Sequence, residues 1–526
     1  MSAHVEESRP AARLQLPAFD SILAAGWGPL AAVAACGFSL GFFAWYEAIV
    51  PLHRPTLIQV ALLFLPLLSG AGAVALWSSY SHYFSMRTGV KYQRSLEYDA
   101  LSWLPMLALW ASFVLPFWVT RGGAGLLLYC ITAFCLTKLA VAIRFNLTVR
   151  EVSIDFVVTR FAIIVIAELA AAIIGQRPGV HVQESRNLLL NVWGRWDAVH
   201  YIDIATVGYH GTDMAFFPLY PLLIALLGAL VGNHLVAGLI ISNVAFFFGL
   251  LYLYKLFEHE FDRAVARRAI FYVSIFPTAL YFSAVYTESL FFMLTVASFY
   301  YMRERRWWLA GVIGFFASMT RVEGVLLTIP FIIEWTTANW AMLRELYYTP
   351  AKQALRAFSG LIPLLFIPLG LAVYMGYLWV LNGDPLYFSH VQINWNRHLA
   401  APWTAVWNTI HKISVAAAGA PTAANQQTIA NQTLELVFTA LMLAVLVGGW
   451  RKLKPSYIAY MALSILVPIS TSSLMSMPRF ALVLFPMFGI LALWGARPAT
   501  NNAIVAFSLP LLGLYTVLFA DWYWVA

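Results

Sequence analysis

Residues 288–336 read ESLFFMLTVASFYYMRERRWWLAGVIGFFASMTRVEGVLLTIPFIIEWT, and their pattern decides the fold class. Three apolar runs, 288–303, 307–320 and 322–336, are separated only by the basic RERR at 303–306 and by Arg321 and Glu323. Charges gathered mostly at the ends of apolar runs and in the breaks between them, with Glu334 the exception, are the mark of a chain solvated by lipid. Outward from this stretch the pattern repeats. Runs long enough to cross about 30 Å of hydrocarbon lie near 27–50, 56–79, 99–119, 122–143, 155–175, 235–256, 268–287, 358–381, 433–450, 456–474, 480–496 and 502–523. The expectation is an all-α polytopic membrane protein with about 13–15 spans. Composition agrees: 61% of the 526 residues are hydrophobic and 11% charged, where a soluble domain carries roughly 25% charge.

Four segments result: a cytoplasmic tail at 1–21, additional N-terminal transmembrane helices at 22–150, a membrane domain at 151–500 and a C-terminal transmembrane helix at 501–526. The first twenty residues mix charges with prolines and lack the order of a cleavable signal. Placing them inside puts RTGVKYQR, IRFNLTVR, FDRAVARR, RERR and WRKLK in the cytoplasm, as the positive-inside rule asks. The polar loops 176–234 and 382–432 then face outward. FFPLYPLLIALLGALVG at 216–232 would reverse the basic loops if it crossed, so it is expected as a juxtamembrane helix at the outer interface. The net charge of +8 fits basic cytoplasmic loops against anionic lipid and does not require a nucleic-acid partner. Cys36, Cys130 and Cys135 fall in apolar runs without metal-ligand spacing.

The first outward loop contains NVWGRWDAVHYIDIATVGYHGTDMAFFPLYPLL, in which Arg195, Trp196, Asp197, His200, Tyr201 and Asp203 crowd together. In helical register Asp197, His200 and Tyr201 share a face. A carboxylate there suits removal of a proton from an acceptor hydroxyl, with aromatic rings to stack on a sugar. An ordinary amphipathic juxtamembrane helix explains the same composition. Arg321 and Glu323 sit inside an apolar stretch, where a charge costs about 2.5–3.5 kcal/mol on insertion scales. Either they form a mutual ion pair, or Arg321 offers its planar fork to a lipid phosphate. Glu288, in FSAVYTESLFF, either orients a sugar hydroxyl, pairs with an arginine or caps the following helix. Arg479, in SMPRFALVLFP, is a second phosphate-binding candidate or a structural arginine at a helix start. Asp384, His390, Trp395 and Arg397 in the second outward loop either contact acceptor or carrier, or belong to a solvated loop.

No P-loop, dinucleotide fingerprint or paired metal-ligand motif is present in the sequence, so no cofactor is expected. A donor that arrives in the membrane already activated needs none of them.

Taken in order, RWDAVHYIDIATVGY with AFFPLYPLL, SIFPTALYFSAVYTESLFF, RRWWLAGVIGFFASMTRVEG and SMPRF resemble the GT-C membrane glycosyltransferases, and within them the PIG-V type of GPI mannosyltransferases. The resemblance covers roughly 155–496. It implies a GT-C-like helical bundle, a polyprenyl-phosphate sugar donor, a glycan or lipid acceptor and inversion at the anomeric carbon. It also implies Asp197 as the catalytic base; Arg195, Trp196, His200, Tyr201, Glu288, Arg321, Glu323 and Arg479 are the accompanying candidates for substrate binding. The additional N-terminal spans, and Val322 and Glu323 where a proline-containing turn is usual, depart from the eukaryotic pattern and leave the acceptor open. Compact loops suggest a bacterial cytoplasmic membrane with the site outward; in a eukaryote the same site would face the ER lumen. A transporter or flippase is the rival reading, but it predicts inverted repeats and midplane charges. A noncatalytic scaffold is the third.

Overall fold

The computed structural model describes residues 146–174, 188–348 and 350–525, together with Leu139 and Ala142. The expected tail, the expected spans up to residue 143 and the three cysteines lie outside the described residues. By internal contacts the chain divides between Val157 and Val158. The second unit holds all of the described helices except the first turns of the one that starts at Leu147.

The described residues are helical, with no strand and one isolated bridge between Leu399 and Thr471. Helices of seven residues or more are, in order, α1 (Leu147–Ile173), α2 (Asp197–Thr206), α3 (Leu219–Val231), α4 (His234–Glu260), α5 (Arg263–Ser274), α6 (Glu288–Arg303), α7 (Trp307–Thr320) and α8 (Thr328–Ala338). They continue with α9 (Ala351–Ser359), α10 (Phe366–Asn382), α11 (Pro402–Ala418), α12 (Ala423–Gly449), α13 (Pro455–Ile469), α14 (Met477–Val483), α15 (Phe485–Trp494) and α16 (Pro498–Ala520).

The chain is an all-α polytopic membrane protein; among the described residues fewer helices than expected have full membrane length. Among the described residues, α1, α4, the stretch Ala351–Asn382, α12 and α16 are long and apolar enough to cross; α14 and α15, bent by 78°, make a sixth if taken as one. The expected spans at 288–303, 307–320 and 456–474 are α6, α7 and α13, of 16, 14 and 15 residues. At 1.5 Å per residue these reach only about 21–24 Å. The expected spans at 268–287 and 322–336 are broken: α5 ends at Ser274, and a 3₁₀ turn, Val322–Leu327, precedes α8. The apolar segment 216–232 yields α3, 13 residues long and too short to cross.

The break after α5 has a definite cause. Pro277 has no N–H to continue the helical ladder, and the chain turns irregularly from 275 to 287, buried throughout. Irregular backbone within a membrane protein is tolerated only where the protein itself supplies hydrogen-bond partners. Arg160, buried in α1, does so: it donates to the carbonyls of Ser274 at 2.7 Å and Ala279 at 2.8 Å and to the Ser283 hydroxyl at 3.3 Å. Its guanidinium also lies 4.7 Å over the Phe246 ring. Ser289 donates to the Phe282 carbonyl, and Thr278 to that of Pro478.

Around this segment α4 packs against α3, α5 and α6, α6 against α7, and α7 against α10. Gly324 lets the 3₁₀ turn lie directly on α7, since a Cβ there would come within 2.4 Å of the Ala317 backbone. Helix α6 then has two polar ends. Glu288 opens it; at its far end Arg303 pairs with Glu260 and, at 2.6 Å, with Glu334, while Lys454 reaches Glu260 at 2.9 Å. The basic RERR therefore stands at the opposite end of α6 from Glu288.

Replacing Arg160 by Met removes three buried donors at nearly constant volume and leaves carbonyls unsatisfied, a loss of about 3 kcal/mol or more. Purified Arg160→Met is expected to melt well below wild type in detergent. An unchanged melting temperature would mean that the 275–287 segment is held by other contacts.

Candidate active site

Helix α2 begins at Asp197 and holds Asp197, His200 and Tyr201 in the expected helical register, and the turn before it is held under strain. Trp196 takes φ 59°, on the left-handed side that bulky residues avoid at a cost of roughly 1–3 kcal/mol. One buried phenol clamps the turn: the Asp197 N–H donates to the Tyr286 hydroxyl at 3.2 Å, and that hydroxyl donates to the Arg195 carbonyl at 3.1 Å. Trp196 is wedged against Trp522 and Trp524, with ring centroids 5.7 and 5.2 Å apart.

Asp197 meets residues from three distant parts of the chain. Its Oδ2 accepts from Arg479 Nη1 at 2.8 Å. Arg479 simultaneously grips Glu288 Oε1, through Nε at 2.8 Å and Nη2 at 2.7 Å, and lies about 5 Å over the rings of Tyr281 and Tyr286. The same Glu288 oxygen accepts from Arg321 Nη1 at 3.2 Å. Arg321 also forms a longer two-point contact with Glu323 at 3.4 Å. Exposure sorts the acids: the Glu288 side chain is 0% exposed and Glu323 9%, whereas Asp197 is 22% exposed. Asp197 is thus the acid of the cluster open to a ligand.

The cluster forms one wall of a cavity of about 360 Å³, within the range of small-molecule sites. Asp197, Tyr201, Arg321, Glu323 and Arg479 all line it. Tyr201 is held by a 3.4 Å contact between its hydroxyl and that of Thr287. The second polar loop also lines it, with Gln392, Trp395, Arg397 and His398, as does Trp524 beyond α16.

Other candidates stand back from this cavity. Arg195 is buried behind it, donating to the Phe519 carbonyl at 3.5 Å with its guanidinium 5.5 Å over Trp522. Burial lowers its pKa to about 10, with Asp521 and Glu168 opposing the shift, so it stays charged at neutral pH. Trp196 supports Trp524 rather than lining the space itself. His200 turns to Asp213, with Nδ1 at 2.7 Å from Oδ1, and stacks on Phe216 at 4.6 Å. Asp384 and His390 pair with each other at 2.7 Å in the exposed part of the second loop. The hydrogen bond from His390 is the main reason that the Asp384 carboxyl lies below its usual value.

Arg397 has a different standing from the other two arginines. Its Nε makes a 3.4 Å contact with the Thr471 hydroxyl and its guanidinium lies 5.4 Å over Phe480. Among the described residues it has no carboxylate within ion-pair distance. Burial lowers its pKa from the usual arginine value, and Glu323 only partly offsets this.

Two further residues could have been read from the sequence. Glu435, in the apolar run TLELVFTALML, and Arg160, in FVVTRFAIIV, are charges inside predicted spans and so functional candidates by default. Arg160 holds the backbone of the 275–287 segment. Glu435 accepts from the Ser476 and Met477 N–H groups, just ahead of Arg479. Trp524 gave no signal, because only the fold brings residues after α16 to α2. Among the described residues no group of three or more His, Cys, Asp or Glu side chains is arranged to hold a metal ion.

Comparison with known proteins bears on the same region. Residues 137–385 match the family described as mannosyltransferase (PIG-V). A GPI mannosyltransferase 2 of Cryptococcus neoformans is 32% identical over 148 residues, which are 26% of this chain and 35% of that protein. A GPI mannosyltransferase 2 of Schizosaccharomyces pombe is 24% identical over 227 residues, 40% of this chain and 49% of that protein. The chain thus spans about a third to a half of the length of these curated relatives. No solved structure matches. Both relatives are fungal, and the expectation of a bacterial source finds no support in them. The segment that carries Asp197, Glu288, Arg321 and Glu323 is the part that matches the mannosyltransferase (PIG-V) family, and the chain is similar to those mannosyltransferases over that part.

Proposed function

We propose that the protein is a membrane glycosyltransferase that moves mannose from a polyprenyl-phosphate carrier to a hydroxyl of a glycan or lipid acceptor. One observation carries this reading. A partly exposed carboxylate, Asp197, and an arginine, Arg397, that has no carboxylate partner among the described residues line one cavity of about 360 Å³.

Asp197 takes the proton from the acceptor hydroxyl as that oxygen bonds to the anomeric carbon from the face opposite the phosphate. The bond from that carbon to the phosphate oxygen breaks, the phosphate leaves with the electron pair, and configuration inverts. The Arg479 geometry supports this role. When Asp197 becomes neutral, Arg479 keeps its contacts to Glu288 and is not left as an unpaired buried charge. The developing charge on the leaving phosphate needs a donor that the protein has not already neutralised. Arg321 and Arg479, the two phosphate candidates read from the sequence, each face carboxylates, so Arg397 suits the task better, with Arg321 beside it across the Phe480 ring. Tyr201, Trp395 and Trp524 offer flat surfaces to the sugar. The positive-inside rule supports a cavity that faces outward or into a lumen, because the RERR loop stands at the other end of α6. Partners on this reading are the lipid-linked donor, the acceptor and membrane lipids, with no nucleic acid.

The deciding experiment is transfer of radiolabelled mannose from polyprenyl phosphate to lipid and glycan acceptors by purified protein. Wild type is expected to transfer label, and Asp197→Asn to lose about a hundredfold or more in rate at matched folding. Equal transfer by both would remove Asp197 as the base; no transfer by wild type from any polyprenyl-phosphate sugar would overturn the donor assignment.

Arg397→Ala is expected to raise the donor KM by about ten- to a hundredfold, the worth of a hydrogen bond to a charged group. Arg397→Lys should recover part of the loss, because lysine keeps the charge without the fork. A donor KM equal to that of wild type in both variants would place the phosphate elsewhere.

A further inference from the structure

Glu435 is a buried acid that the proposed transfer reaction does not use. It lies in α12 among Phe438, Thr439 and Met442, and is 5% exposed. Its two oxygens leave α12 and cap another helix: Oε1 accepts from the Ser476 N–H at 3.0 Å and Oε2 from the Met477 N–H at 2.8 Å, the latter shared with the Leu474 carbonyl at 3.2 Å. Those groups are the unsatisfied donors at the start of α14, which lacks a side-chain cap of its own. Ser476 stands there at φ 72°, a left-handed conformation that a serine holds only when its surroundings impose it. Two aligned donors call for two acceptor oxygens, which a carboxylate has and an amide lacks.

Three residues beyond Ser476 comes Arg479, whose own N–H bonds to the Ser476 carbonyl at 3.0 Å. The start of α14 is therefore held on one side by Glu435 and on the other by the Thr278 hydroxyl on the Pro478 carbonyl at 3.0 Å. We propose that Glu435 is a positioning residue: by capping α14 from α12 it sets the Ser476 turn and, through it, the reach of the Arg479 guanidinium to Asp197 and Glu288. Its effect on turnover rests on the glycosyltransferase reading; its effect on the turn does not.

The test combines hydrogen exchange with kinetics on the purified full-length chain. In Glu435→Gln one amide hydrogen faces a backbone N–H, so the amides of 474–480 are expected to exchange about tenfold faster than in wild type, a factor equal to losing one net hydrogen bond. In the transfer assay kcat should fall about ten- to a hundredfold with the donor KM within about threefold, since misplacement of a supporting group by about 1 Å acts on the transition state more than on ground-state binding. Glu435→Asp, which keeps both acceptors, should recover most of the protection and part of the rate, and it serves if the Gln variant does not fold. Adding Glu435→Gln to Arg479→Lys should cost little further rate, because both act through one guanidinium. Unchanged exchange at 474–480 in both Glu435 variants would overturn the cap. Faster exchange with unaltered kcat would overturn the positioning role, and inactivity of wild type would sink the transfer reaction while leaving exchange to decide the cap.

Discussion

A buried guanidinium must have its donors and its charge satisfied from within the protein, and in this protein the heaviest such demand is met at Arg479. Its three nitrogens are divided between Glu288, at the start of α6, and Asp197, at the start of α2, while the rings of Tyr281 and Tyr286 stack on it. One side chain thus ties together segments 282 and 191 residues apart in sequence. The cost of removing such a charge from water is several kcal/mol, and it is offset only when the geometry satisfies the donors. The strained backbone at Trp196 and Ser476 stands just before the residues that make these contacts. Strain of that kind persists only where the surrounding structure over-determines it, here through the Tyr286 clamp on one side and the Glu435 cap on the other.

From that pairing the electrostatics of the cavity follow. Asp197, Glu288 and Glu323 pair with Arg321 and Arg479, and Arg397 shares the Phe480 ring with Arg321. All three arginines also pack on aromatic rings that keep water away, so their charges act at short range in a medium of low polarity. The proposed reaction uses this arrangement economically: the base is the acid with the most exposure, its arginine partner has a second carboxylate to fall back on, and the least neutralised cation is left to the phosphate.

The helices serve this site by failing to be regular. At 275–287 and at 321–327 the chain abandons helix inside an apolar bundle, and both breaks deliver charged residues, Glu288 and Arg321, to one end. Lipid cannot satisfy the freed backbone groups, so at 275–287 the protein does so with Arg160, Asn243 and Ser289. Helices such as α6 and α7 then fall short of full membrane length, so among the described residues fewer helices reach across than hydropathy alone predicts.

The sequence by itself determined the fold class and pointed to the candidate residues. Hydropathy requires lipid, and an all-α fold follows because irregular backbone is costly there; Arg321 and Glu323 marked themselves as charges in an apolar run, Glu288 and Arg479 as charges at the ends of such runs, and Asp197 by its place in the polar loop and the motif around it. What it left open was pairing. Whether Arg321 binds Glu323, a ligand or both, and whether Arg195 and His200 face the cavity or stand behind it, depends on contacts between segments hundreds of residues apart, to which local periodicity is blind. Only the tertiary structure decided that Arg479 is saturated by carboxylates while Arg397 is not, and that Trp524 closes the cavity, because charge neutralisation and enclosure belong to the assembled bundle and not to any one helix.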